Sequence, residues 1–164
     1  MAGRTITPKQ LARQWANLPN KFEVNIFNFE TLVGNAAKKV FQDSFYLRRF
    51  NSSGTFAWRA RRDNKPHPIL EETGNLKNSI VWQRSSTGSQ RGVVIYTSPF
   101  AFKHSKRQYG RNFCYAAVHN DPSGTHTYGK SGVPSIQRQF IGYSTILNDK
   151  ISSYSIHIFD GFPK

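Results

Sequence analysis

Phe22-Glu23-Val24-Asn25-Ile26-Phe27-Asn28-Phe29-Glu30-Thr31-Leu32-Val33-Gly34-Asn35-Ala36-Ala37-Lys38-Lys39-Val40 is the stretch that decides the fold class. Phe22, Ile26, Phe29, Val33, Ala36/Ala37 and Val40 recur at helical spacing, which predicts one long amphipathic helix over 21–47 with Asn35, Lys38 and Lys39 on the opposite face. Gly34 inside it costs about 1 kcal/mol relative to alanine, so close packing or a slight bend is expected there. Upstream, Thr7-Pro8-Lys9-Gln10 has the order of a capping box with proline in the first helical position, and Leu11, Trp15 and Leu18 share one face. Pro19 is expected to end this N-terminal helical extension, residues 1–20, and Asn20 to cap the long helix.

Downstream, 48–68 is a basic, irregular loop. Arg48, Arg49, Arg59, Arg61, Arg62 and Lys65 alternate with Phe50, Phe56 and Trp58, and Pro66-His67-Pro68 forbids a continuous helix. In Ile69-Leu70-Glu71-Glu72-Thr73-Gly74-Asn75-Leu76-Lys77-Asn78-Ser79-Ile80, the Thr73-Gly74 pair reads as a turn with positive φ at Gly74. Leu76, Asn78 and Ile80 then alternate as in a strand. Residues 69–98 are therefore expected to give the turn and a β-hairpin, with strands 76–84 and 92–98, for which the long helix supplies the apolar cover. Residues 110–132, rich in Gly, Pro, Ser and His, are expected to form a flexible loop that orders on contact. Within 138–160, Arg138 to Tyr143 reads as a short strand, Ser144 as an N-cap, and Leu147, Ile151, Tyr154 and Ile158 as one face of a closing helix. Strand remains an alternative beyond Tyr154, because Tyr154, Ile156 and Ile158 also alternate. The expectation is an α+β single domain: a small antiparallel sheet packed against a long amphipathic helix, with N- and C-terminal helices and long loops.

A chain of 164 residues fits one domain and can bury a core without staples; its 13 Phe, 7 Tyr and 3 Trp make that core aromatic-rich. Cys114 is alone, which excludes an internal disulfide and a multi-cysteine zinc site. No run approaches the ~20 apolar residues of a membrane span, and the first residues lack the apolar centre of a secretory signal, so a soluble protein without membrane partners is expected. The charge is lopsided: 23 Lys+Arg against 9 Asp+Glu, net +14. Such a surface attracts nucleic acid or the acidic face of another protein.

Chemistry finds little support. The five histidines are scattered, and no pair has the i, i+4 spacing of a helical metal site. Glu71-Glu72 is the only adjacent carboxylate pair, too few for two-metal phosphoryl transfer. The sharpest enzyme reading combines His119, Asp121 and His126 as a hydrolase site; the blander one makes His119 a polar anchor at the edge of a loop. No cofactor is implied, and no catalytic or metal residue is assigned.

Three blocks stand in order: Thr73-Gly74-Asn75-Leu76-Lys77-Asn78-Ser79-Ile80, then Tyr115-Ala116-Ala117-Val118-His119, then Arg138-Gln139-Phe140-Ile141-Gly142. Together they resemble the virion morphogenesis, or tail-completion, family of tailed bacteriophages over roughly residues 20–160. The chain departs from the family pattern before Trp58, where Ser52-Ser53-Gly54 replaces a Pro-Asp-Gly turn. Two further departures are a glycine displaced to Gly124 and Gln139 in place of proline. The resemblance implies a structural protein, not an enzyme, that completes the head-proximal end of the tail and enables head–tail joining in the virion neck, after assembly in the host cytoplasm. It implies a homo-oligomeric ring, with tail-tube or tail-terminator and head-connector proteins as partners. Motif residues would be Thr73, Gly74, Leu76, Ser79, Ile80, Tyr115, Ala116, His119, Arg138, Phe140 and Gly142, with Arg138 placed to clamp a carboxylate or carbonyls. Arg48, Arg49, Arg59, Arg61, Arg62 and Lys65 are candidates for partner or nucleic-acid contact. Two alternatives remain: a non-specific nucleic-acid-binding protein, and a tail assembly factor absent from the finished virion.

Overall fold

The computed structural model describes residues 6–60, 66–87, 90–102, 116–120, 127–128, 133–134 and 136–162. Thr7 caps α1 (Pro8–Ala16) as a capping box: its hydroxyl accepts from the Gln10 amide at 3.2 Å, and the Gln10 side chain accepts from the Thr7 amide at 2.9 Å. One residue, Asn17, separates α1 from α2 (Leu18–Leu47). Pro19 therefore does not end a helix as expected. It occupies the first turn of α2, where its missing N–H has no intrahelical acceptor to lose. At the other end Arg48 turns left-handed (φ 51°), and the amides of Arg48 and Arg49 return to the carbonyls of Phe45 and Ser44.

The architecture is α+β: an antiparallel hairpin of β1 (Ile80–Thr87) and β2 (Gln90–Thr97) packs against α2. Trp82 lies opposite Ile95 and Arg84 opposite Val93. Ile80 is fully buried, Trp82 lies against Gly34 of α2 and Arg84 bonds Glu30, so these alternate β1 residues face the helix. Contact is closest at Gly34, where three atoms of the Trp82 indole lie within 2.6 Å of the position a Cβ would take. The indole Nε1 donates to Asn35 Oδ1 at 3.0 Å.

The strand does not begin at Leu76. Gly74 takes the expected positive φ (69°), but Asn75–Asn78 forms one helical turn, α3. Leu76, Ser79 and Ile80 are all buried, and their spacing of three and four is that of a helix, so one turn aims all three inward where alternation would have aimed Asn78 inward. The core joins Leu76 and Ile80 to Ala37, Val40, Phe41, Phe45, Phe50, Trp58 and Phe140. Phe45 meets Trp58 edge-on at 5.6 Å and Phe140 at 5.4 Å, pairs worth ~0.5–1.5 kcal/mol each beyond their burial.

A 3-10 turn, Pro99–Phe102, follows the hairpin. Within the expected loop 110–132, Ala116–Asn120 is helical (α4) and Thr127–Tyr128 (β3) pairs antiparallel with Val133–Pro134 (β4); the rest of that segment lies outside the described residues. Arg138 to Tyr143 is not a strand. No neighbouring strand pairs with it; the Arg138 amide is taken by the His119 carbonyl at 2.8 Å and the amides of Phe140 and Ile141 by Asn120 Oδ1, both at 2.9 Å. Ser144 caps α5 (Thr145–Ser155) through the Leu147 amide at 3.2 Å. A 3-10 turn, Ile156–Phe159, then follows in place of the alternative strand. This C-terminal layer lies along α2, where Asn25 Nδ2 donates to the carbonyls of Ile158 (3.0 Å) and Asp160 (3.1 Å).

Candidate functional site

Short, polar-capped segments bring the three sequence blocks together around Phe45 and Trp58. Leu76, Ser79 and Ile80 enter from α3 and β1, Ala116 and His119 from α4, and Arg138 and Phe140 from the segment before α5; all are buried. Asn120 ties the second block to the third: its Oδ1 accepts two amides, and its Nδ2 donates to the Ile141 carbonyl at 2.9 Å. Trp58 Nε1 donates to the Gln139 carbonyl at 3.0 Å, which draws the loop after α2 onto the same knot.

Arg138 holds a carbonyl. Its Nε and Nη2 donate to the Arg59 main-chain oxygen at 3.3 and 3.2 Å, so the clamp closes inside this chain. His119 sits beside it, 8% exposed. Burial, and secondarily the Arg138 charge, push its pKa down from 6.5 to about 4, against a hydrogen bond with the Ile136 main chain. A neutral imidazole held beside a guanidinium is a packed polar group. Thr73 and Gly74 form the turn that starts α3, with Thr73 Oγ1 accepting from Asn75 at 3.4 Å. Gly142 stands against Gln139 and the Phe50 ring. Tyr115 lies outside the described residues.

A second polar cluster joins helix to hairpin. Glu30, 5% exposed, accepts from Arg84 Nε at 3.0 Å and Arg91 Nε at 3.1 Å; Arg91 also reaches Glu23, and the Arg84 guanidinium lies 3.6 Å from the centre of the Phe27 ring. Sequence reasoning did not single out this cluster. Its signal was a carboxylate at Glu30 within the apolar stripe between Ile26 and Val33.

Among the basic-loop candidates, Arg48, Arg49 and Arg59 are exposed, while Arg61, Arg62 and Lys65 lie outside the described residues. Arg49 forms an antiparallel bridge with Ala57, and the Trp58 amide donates to the Arg48 carbonyl at 2.6 Å, making a short ribbon of 48–49 against 57–58. Asn51 anchors its base: Nδ2 donates to the Val40 carbonyl at 3.1 Å, and the Asn51 carbonyl accepts from Ser144 at 2.6 Å.

Among the described residues no three His, Cys, Asp or Glu side chains gather to hold a metal, and no helix is long and apolar enough to cross a membrane. Asp121 and His126, the partners of His119 in the hydrolase alternative, lie outside them. A shallow groove of about 380 Å³ opens at the α1–α2 junction, but its Lys21 ammonium is held by the Gly161 carbonyl at 2.6 Å. What these residues define is a small α+β domain in which Leu76, Ser79, Ile80, Ala116, His119, Arg138 and Phe140 of the three blocks are buried. Compared with protein-family models, curated proteins and solved structures, the chain matches none of them.

Proposed function

We propose that this chain is a structural tail-completion protein, which associates as a ring at the head-proximal end of a phage tail and makes the tail competent to join the head. The order of the three blocks supports the family. The observation that supports an assembly role is α1. Every residue from Ile6 to Asn17 is exposed, and α1 adds nothing to the core. A 9-residue helix is shorter than the ~12–15 residues below which isolated helices are marginal in water, so its caps alone do not hold it. Yet it carries Leu11 and Trp15 one turn apart, Trp15 at 62% exposure, and α2 adds exposed Phe22, Val24, Phe27 and Leu32. Apolar surface on helices of this kind is the mark of a protein contact. On this reading tail-terminator or tail-tube and head-connector proteins are the neighbours, and no bond is made or broken.

The test is cross-linking mass spectrometry on intact virions of the parent phage. Cross-links from Lys9 and Lys21 to tail-terminator and head-connector subunits are expected; particles that lack the chain would overturn a structural place in the virion.

A further inference from the structure

We propose that the ribbon formed by residues 48–49 and 57–59, with Phe56 beside it, binds single-stranded nucleic acid, independently of any role in tail completion. Arg49 and Ala57 are bridged and so project to the same side, and Arg59, two residues on, shares that side by strand alternation. Trp58, which alternates to the opposite side, is buried against Phe45. The outer side therefore presents two guanidinium groups flanking a small residue. Arg48, also exposed, adds a third.

Among the described residues none of these three side chains has an ion pair or hydrogen bond, whereas Glu23, Glu30, Asp43 and Glu71 already face lysine or arginine side chains. With 9 Asp+Glu against 23 Lys+Arg in the sequence and no described carboxylate paired with the ribbon, a polyanion is its complement. Phe56 selects among polyanions. At 91% exposure it is the least covered large apolar side chain described, and a bare aromatic ring one residue from the Arg49–Ala57 bridge is a stacking platform for an unpaired base. A duplex keeps its bases stacked, and poly-glutamate offers the charge with no ring to stack on.

Substitution can remove the side chains without loosening the fold. The Arg138 clamp and the Trp58 amide use the main-chain carbonyls of Arg59 and Arg48, which remain in any variant. Arg48 is left-handed, so Asn, which tolerates that conformation, is the replacement there. The experiment is fluorescence anisotropy with a labelled oligo-dT strand, the matching duplex and poly-glutamate, across a salt series, on the wild type, the triple variant Arg48→Asn/Arg49→Gln/Arg59→Gln, and Phe56→Ala. Thermal melts verify that each is folded. The expected result is tighter binding of the single strand than of the other two probes. The triple variant should lower the slope of log K against log salt by about 2, at ~0.7 per contact for single strands, and Phe56→Ala should weaken binding roughly 5- to 150-fold. Unchanged binding in folded variants, equal binding of duplex or poly-glutamate, or no binding of the strand at low salt would each overturn the proposal.

Discussion

Gly34→Ala probes the closest approach between helix and hairpin, and its sign depends on one neighbour. In a free helix the change gains about 1 kcal/mol. Here the new methyl group would meet three atoms of the Trp82 indole within 2.6 Å, well inside ordinary contact. The indole cannot retreat without weakening its 3.0 Å hydrogen bond to Asn35 and moving away from the Arg84 guanidinium, 5.4 Å from its centre. Overpacking of this type costs ~1–3 kcal/mol. The net expectation is a loss of up to about 2 kcal/mol, or up to roughly 8 °C in Tm for a domain of this size. Removing the neighbour should reverse the sign: in a Trp82→Ala background, Gly34→Ala should stabilise by up to ~1 kcal/mol, giving a coupling of about 2 kcal/mol in the double-mutant cycle. Urea unfolding of the four proteins measures this. A coupling below ~0.5 kcal/mol, within the range of independent sites, would mean that helix and hairpin do not meet through this pair.

Other expectations follow from the same contacts. Glu30→Gln removes the charge shared by Arg84 and Arg91; because both arginines are at least a third exposed and can return to water, the loss should be about 1–2 kcal/mol by urea midpoint, less than for a fully buried pair. An unchanged midpoint would discount the cluster as a fastener. Asn120→Ala strips partners from two amides and a carbonyl and should cost ~1–3 kcal/mol, with faster hydrogen exchange at Phe140 and Ile141 as the diagnostic. His119, with a folded pKa of about 4 against 6.5, binds its proton more readily when unfolded, so it imposes no penalty above pH ~6.5 and a growing one as pH falls towards 4. The total approaches roughly 3 kcal/mol, and His119→Gln should flatten the stability–pH curve in that window. A curve unchanged by the substitution would count against a buried neutral imidazole.

Periodicity made α2 legible, because a 3.6-residue pattern over so many turns has no competing explanation. Its start was misplaced because proline is a stop signal inside a helix and a favoured residue in the first turn, and the pattern before Pro19 does not say which applies. Leu76, Asn78 and Ile80 alternate, yet Leu76, Ser79 and Ile80 are the buried set; over so few residues both periods fit, and burial chose the helical one. Arg138 to Tyr143 has strand composition but, among the described residues, no strand to pair with, a fact set by the rest of the fold. The Arg138 clamp was foreseeable as chemistry, but its acceptor, a main-chain oxygen 79 residues away, was not. Partners chosen over such distances carry no local pattern, and the same holds for Glu30 with Arg84 and Arg91.

Because Leu76, Ser79, Ile80, Ala116, His119, Arg138 and Phe140 of the three blocks are buried, they build the body and leave recognition to exposed surfaces. That division gives a last prediction with two readouts. Ile80 has no exposed surface, so Ile80→Ala should cost ~2–5 kcal/mol and lower Tm by roughly 4–20 °C, and any loss of assembly would follow from unfolding. Leu11→Ser with Trp15→Ser removes exposed side chains from a helix that has no buried residue, so the isolated chain should keep its stability within about 1 kcal/mol. Its sedimentation-derived mass and its incorporation into particles should nevertheless fall. The two variants must therefore separate stability from assembly. If the α1 variant assembles as the wild type does, the exposed stripe is surface without a partner; if it melts as Ile80→Ala does, α1 belongs to the body and the division itself is wrong.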